Sequence, residues 1–360
     1  MKSVYTIAAF LLFFVIPLGA QDESANKSFS KSVSVGRETK LEVINRYGDI
    51  NISTWNKDSA YITAEIEAYA PDRTRLDKLI AGINVSITGT GSLVRAETVF
   101  EREATVLLES FKEFTGKLID YGSRVRINYF INIPDYVDID IRNQFGDISA
   151  EDNKGTISID LSNGDFRANS LNRVSELNLD FGDAVIGSVK SAKIITSFSK
   201  IKIDRIDELD LSSTSSRFDL VKAGLVEIES RKDKFFIGEI STITGASWFT
   251  DYSMEYLVTA ADLDLKFGSC DIGRIDGRFD NIVIKSANAD IKADFEPSAA
   301  YEYEIRQANA FVVLPDNKTR AEKETVNENR KEYLLTGKVG TGTGKSRLKI
   351  DASRGNVNIR

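Results

Sequence analysis

The sequence predicts an all-β protein: a single-stranded parallel β-helix (a β-solenoid) of right-handed sense, with an antiparallel β excursion capping its N-terminal end. Three observations predict it. A short turn motif returns along the chain at near-regular spacing. The segments on either side of each copy alternate apolar and polar residues with period two. When the copies are aligned, like residues fall in columns.

The motif is plainest in Phe145-Gly146-Asp147-Ile148, Asn163-Gly164-Asp165-Phe166, Phe181-Gly182-Asp183-Ala184 and Phe198-Ser199-Lys200-Ile201. Echoes follow at Ser215-Ser216-Arg217-Phe218, Phe267-Gly268-Ser269-Cys270, Asn288-Ala289-Asp290-Ile291 and Asn309-Ala310-Phe311-Val312. An early copy, Tyr47-Gly48-Asp49-Ile50, stands near the start. The bends are placed at Gly146, Gly164, Gly182, Ser199, Ser216, Lys234, Tyr252, Gly268, Ala289 and Ala310. Two short strands and one turn cannot bury an apolar face alone, so successive units must stack.

Taken in order, residues 1–20 read as a signal peptide. Lys2 is the basic start, Val4 to Leu18 the apolar run, and Ala20 the small residue at the cleavage boundary. No cysteine follows for a lipid anchor, and no other window is long and apolar enough to cross a membrane. The chain is therefore expected to be exported to the periplasm, cell surface or medium. Residues 21–32 read as a flexible N-terminus, and 33–136 as the first unit plus the excursion. In the excursion, Tyr61 to Tyr69 alternates as a strand, and Asp72 caps a short helix carrying Leu76, Leu79, Ile80 and Ile83. Val85 to Thr88 and Leu93 to Phe100 read as a hairpin around Gly89 and Gly91. Leu107, Leu108, Phe111, Phe114 and Leu118 fit an amphipathic helix or lid, and Arg124 to Ile133 is a strand stopped by Pro134.

Residues 137–314 hold the repeated units: about ten rungs, roughly 50 Å long at the spacing of hydrogen-bonded strands. Before the bend the columns include Ile141, Ile159, Leu177 and Leu211; after it, Ile148, Phe166, Ala184, Ile201, Phe218, Phe235, Met254, Cys270, Ile291 and Val312. Residues 315–360 are expected to hold a charge-rich loop or short helix, a cap and a last partial rung at 354–357.

The chemistry-bearing residues are few. The chain has 360 residues, 42% of them apolar, a net charge of −7, one cysteine and no histidine. The mixed charge lacks the clustered basic surface of a nucleic-acid binder. Absence of histidine removes the commonest general base and metal ligand. Cys270 has no disulfide partner and falls in the apolar column, which makes it a packing residue. No cofactor is expected. Gly340-Thr341-Gly342-Thr343-Gly344-Lys345-Ser346 lacks the glycine spacing of a phosphate loop and reads as a turn. Asn26, Asn51, Asn84 and Asn317 stand in glycosylation triplets.

One pattern could serve binding. The residue after each bend runs Asp147, Asp165, Asp183, then Lys200, Arg217, Lys234. Stacked in register, three acids and three bases form one stripe, which either meets a cation or charged partner or stays solvated.

Val43-Ile44-Asn45-Arg46-Tyr47-Gly48-Asp49-Ile50, Asn143-Gln144-Phe145-Gly146-Asp147-Ile148 and the ending Gly337-Lys338-Val339-Gly340-Thr341-Gly342 resemble a family of exported bacterial β-strand-repeat proteins. That family, of Bacteroidetes type, is labelled "putative adhesin" and has no established function. The likeness covers residues 33–360. It implies a parallel β-helix, an envelope location and no established catalytic residues. The expected function is thus non-catalytic: an adhesin-like or scaffold surface for an envelope protein or glycan. A polysaccharide-active β-helix enzyme is the rival, but no aromatic cluster in the sequence marks a sugar cleft. A periplasmic assembly or sensing partner is the third reading.

Overall fold

A computed structural model describes residues 22–109, 123–316, 318–341 and 345–360. The expected signal peptide lies outside them, as do Phe111, Phe114 and Leu118 of the expected lid, Asn317, and Gly342 to Gly344.

Among the described residues the chain is all-β, with twenty strands, most of them in parallel pairings, and two short helices. It divides into two compact units. The smaller comprises residues up to Asn26, Glu67–Ile83 and Phe100–Val125. In it, helix α1 (Arg73–Ala81) starts where the Asp72 side chain accepts from the Arg75 N–H at 2.9 Å. Leu76 and Leu79 point inward, and helix α2 (Arg102–Glu109) sets Ala104 against Gly82.

The larger unit, Lys27–Ile66, Asn84–Val99 and Arg126–Arg360, holds the repeats. Period-two alternation puts every second residue inside. Each repeat pairs in parallel and in register with its neighbours. Before the corner, Ile141 lies beside Ile159, Leu177, Ile194, Leu211 and Ile228 in succession. After it, Ile50, Ile148, Phe166, Ala184, Ile201, Phe218 and Phe235 line up likewise. All of these are buried, each contributing roughly 1.5–3 kcal/mol where the side chain is large. Phe218, Phe235 and Tyr252 stack, with centroids 4.7 and 4.9 Å apart. Cys270 is buried in the same column, and burial pushes its thiol up to about 12.

Residues 21–32, read as a flexible N-terminus, lie largely in the strand Glu23–Ser34, and three further expectations need correction. First, the bends placed at Lys234 and Tyr252 belong at Asp233 and Thr250. The left-handed residues there are Lys232 and Phe249, and Tyr252, not Met254, follows Phe235 in the inner column. Second, the excursion is not antiparallel where it meets the first repeat. Leu93–Glu97 runs parallel to Lys40–Ile44, and Tyr129–Ile133 parallel to Ile50–Thr54. The excursion thus supplies both strands of a further unit on that side, which hides in the sequence because a long insertion separates its halves.

Third, the C-terminus is not a partial last unit. Ser346–Ile359 is a full strand pair lying between Asn281–Phe295 and Tyr301–Val313, parallel to both. Tyr301–Ala308 is covered on its other side by the antiparallel strand Glu332–Val339, and the expected loop or helix at 322–331 largely forms the strand Lys318–Asn327 against it. Spatial order departs from chain order here. Removing residues 345–360 therefore deletes an internal unit rather than trimming an end. We expect that truncation to lower the thermal midpoint by more than 10 °C or to abolish soluble expression, as followed by circular dichroism. An unchanged midpoint would contradict the strand order.

Candidate functional corner

Every repeat turns at one residue with positive φ. These are Tyr47, Phe145, Asn163, Phe181, Phe198, Ser215, Lys232, Phe249, Phe267, Asn288, Asn309 and Arg354, with φ between 51° and 68°. The left-handed residue donates its N–H forward. Phe145 donates to the Ser162 carbonyl at 3.0 Å, Phe198 to Thr214 at 3.1 Å, and Lys232 to Trp248 at 2.8 Å. The residue two places on donates backward, and two chemistries accept it.

Where the corner is Gly146, Gly164 or Gly182, an aspartate of the preceding repeat accepts; at Gly48 the Asn128 side chain takes the Asp49 N–H at 3.0 Å. The Asp147 N–H meets Asp49 Oδ1 at 2.9 Å, Asp165 meets Asp147 at 2.9 Å, and Asp183 meets Asp165 at 3.0 Å. The glycines are close-packed: a Cβ on Gly164 would overlap the Gly146 carbonyl, and one on Gly182 the Gly164 carbonyl. Asn143, buried three residues before its corner glycine, donates its amide to the carbonyls of Gly146 (2.9 Å) and Gly48 (3.0 Å). Asn45 does the same for Gly48 and Ile127, and Thr98 joins it to the buried Tyr129 hydroxyl. Burial raises that phenol to about 12, although the Thr98 bond pulls the other way. The Asn-x-aromatic-Gly-Asp motif is thus a set of bonds across the stack.

Where the corner is not glycine, the backbone carbonyl accepts directly. The Lys200 N–H meets Gly182 O at 3.3 Å, Arg217 meets Ser199 O at 2.9 Å, and Lys234 meets Ser216 O at 3.0 Å. The corner side chains turn inward. Ser199, Ser216, Asp233 and Thr250 are all buried. Asp233 is 1% exposed and accepts from Ser213 Oγ (2.6 Å), Ser216 N (2.6 Å), Ser230 Oγ (2.7 Å) and Arg231 N (3.1 Å). Four donors answer one buried carboxylate.

The stripe read from the sequence is placed in one column. Asp183 pairs with Lys200, Lys200 with Arg217, and Arg217 with Lys234. Asp147 and Asp165 join it through the bonds above, and Arg167 bridges their carboxylates at 3.2 and 2.8 Å. Arg217 pairs with Asp219 at 2.7 Å and lies over the Phe236 ring at 3.9 Å. Lys200 and Lys234 make no ion pair among the described residues.

The sequence puts Phe145, Phe181 and Phe198 in one column where they could stack; the structure stacks Phe181 on Phe198 and adds pairs with Tyr47 and Phe249 that the sequence reading missed. Tyr47 stacks on Phe145 at 5.6 Å, Phe181 on Phe198 at 5.1 Å, and Phe249 on Phe267 at 4.7 Å. These rings are exposed: Phe181 59%, Phe198 58%, Phe249 52% and Phe267 43%. Trp248 is exposed beside Phe249. The period did give the column, but the misplacement at Tyr252 dropped Phe249 from it and hid the aromatic cluster.

The left-handed region costs a non-glycine residue about 1–2 kcal/mol, and a bulky side chain there is a genuine outlier. One stacked pair returns about 0.5–1.5 kcal/mol. Two strained phenylalanines therefore cost more than their stacking returns, and the roughly half of each ring that is buried offsets the remainder in part. Asparagine suits this backbone better, and the chain uses it at Asn163, Asn288 and Asn309.

Three solved structures are similar to this chain at low levels. A "putative cell adhesion protein" from Clostridium sporogenes is 11% identical, covers 93% of this chain and 99% of its own, and has a TM-score of 0.19. A "putative lipid binding protein" from Parabacteroides distasonis is 10% identical over 76% of this chain and 94% of its own, with a TM-score of 0.35. A "putative adhesin" from Bacteroides fragilis is 10% identical over 93% and 97%, with a TM-score of 0.25. The adhesin label is the one carried by the family that the turn motif resembles. At TM-scores this low, none of these likenesses bears on what the chain does. No family model and no curated protein matches it.

Two outcomes test the corner. Phe198→Asn exchanges strain for a preferred left-handed residue and should change the unfolding free energy by less than about 1 kcal/mol in urea titrations. A loss above about 2 kcal/mol would show that the ring carries stability instead. Asp233→Ala strands four buried donors and should cost about 3 kcal/mol or more in the same assay. A cost below about 1 kcal/mol would mean the network contributes little.

Proposed function

We propose that this chain is an exported, non-catalytic, adhesin-like binding protein of the bacterial cell envelope. We read the repeats as a right-handed single-stranded parallel β-helix, since each unit pairs in parallel and in register with the unit before and the unit after it. The apolar run from Val4 to Leu18 behind Lys2 supports export.

The observation that carries the binding reading is the exposed, strained aromatic corner. Stability does not require Phe181, Phe198, Phe249 and Phe267 there, because asparagine satisfies the same turn in other repeats. Strained backbone under exposed side chains is typical of sites kept for recognition. Aromatic rings supply rigid contact area at low entropic cost. The partner in this reading is a protein or glycan of the envelope, held along the corner.

The test replaces all four phenylalanines by asparagine. Retention of the purified chain on immobilised cell-envelope fragments should fall at least tenfold, while the thermal midpoint stays within a few degrees. Equal retention by both proteins would overturn the reading.

A further inference from the structure

We infer that the groove beside Trp248 and Phe249 is a binding site for a uronate-bearing polysaccharide. This rests on the aromatic corner being the binding face and names the ligand class for one part of it.

The groove holds about 520 Å³, and its lining includes Ser212, Thr214, Glu229, Arg231, Trp248 and Phe249. The register builds it. Thr214 pairs with Arg231 and Arg231 with Trp248, while Ser212 pairs with Glu229, so these side chains rise from adjacent strands on one outer face. Short hydroxyl side chains in one repeat leave the space. Trp248 and Phe249, two repeats on, wall it.

Three features point to an acidic sugar. The first is charge. Arg231 and Lys232 are exposed, and Lys266 lies over the Trp248 ring at 5.0 Å. None of the three is within ion-pair distance of a carboxylate among the described residues. Glu229 is the one exposed acid in the lining. Across the corner, Lys200 and Lys234 extend the basic surface, while Arg217 between them is paired with Asp219. On a chain of net charge −7, this concentration of bases is local. A guanidinium takes a carboxylate through two parallel hydrogen bonds.

The second is the pairing of flat rings with hydroxyls. An apolar protein anchor wants a pocket it can desolvate completely. Here the walls are aromatic, but the floor offers Ser212, Thr214 and Glu229, which suit the alternating hydroxyls and C–H faces of a pyranose. Adjacent repeats lie about 4.8 Å apart, close to the length of one sugar unit. A linear chain running along the corner therefore meets one repeat at each step, in turn Thr214, Arg231 and Trp248.

The third is rigidity. The buried Asp233 lies under this groove. It fixes the hydroxyls of Ser213 and Ser230, both of which line the groove, and the backbone N–H of Arg231. A fully satisfied buried network holds its members in one geometry. Asp233 is a positioning residue here, and Arg231 is the contact it positions.

The experiment uses the full mature chain in native affinity gels containing polygalacturonate or alginate. A gel containing methyl-esterified polygalacturonate keeps the backbone and removes the charge. We expect retardation in at least one polyuronate, little in the ester, and weakening of that retardation with added salt. Trp248→Ala and Arg231→Ala, both at exposed positions, should each weaken retardation at least tenfold. No retardation in either polyuronate overturns the inference, as does equal retardation in the ester or by both variants. A chain that ignores polyuronates yet still loses envelope retention when its corner phenylalanines are changed would keep the binding face and remove this ligand class.

Discussion

The backbone N–H after each corner points at the repeat before it, and something there must accept it. Most of the larger unit follows from that constraint. A buried or half-buried amide left unpaired costs about as much as a lost hydrogen bond, and the cost would recur at every turn. Parallel strands can share their ladders only if the corners stay in line. The chain meets the constraint with an aspartate carboxylate over glycine corners, and with a backbone carbonyl over serine, aspartate and threonine corners. The same device returns at the C-terminal strand, where the Asn356 N–H meets Asp290 Oδ1 at 2.8 Å.

The two devices go with two repeat lengths. Glycine corners follow one another with an offset of 18 residues, as between Asp147 and Asp165. The direct carbonyl bond goes with an offset of 17, as between Lys200 and Arg217. Glycine permits the closer approach because no Cβ meets the carbonyl beneath it. Once a side chain sits at the corner, it turns into the core and needs partners there. Ser199, Ser216, Asp233 and Thr250 supply them for one another. The buried polar column follows from the substitution at the corner, while the shortened repeat arises away from it, at the bulge between Val174 and Leu177, where the offset to the next repeat falls from 18 to 17.

This explains how far the sequence could be read. The columns Ile141, Ile159, Leu177 and Ile148, Phe166, Ala184 were legible because period-two alternation and a conserved offset act on every copy at once. The aspartates were legible as a stripe, but their bonds to the next repeat's N–H groups were not, since a turn aspartate and a stacking aspartate look alike in one dimension. The error at Lys234 and Tyr252 arose because the corner there carries aspartate and threonine rather than glycine or serine. The order of the last strands could not be read from the chain at all. Ser346–Ile359 alternates as any terminal strand would, and only the competition of two sheet edges for it decides where it goes. The aromatic cluster at Trp248, Phe249 and Phe267 was lost with the misplaced corner.

The corner constraint also separates what the fold needs from what it does not. Each turn requires one left-handed residue, and sterics make asparagine a better choice than phenylalanine by a margin near the strain itself, about 1 kcal/mol. Stacking offsets part of this in pairs, but only where two phenylalanines are adjacent. The pairs are interrupted by Ser215 and Lys232, so the aromatic surface is not a continuous ladder that stability alone would favour. The interruption coincides with the bases Arg231 and Lys232 and with the buried carboxylate beneath them. Strained corners under exposed rings and a desolvated carboxylate each cost stability, and exposed bases without ion-pair partners among the described residues lie beside them. Their convergence over four consecutive repeats is the observation on which the proposed recognition surface rests.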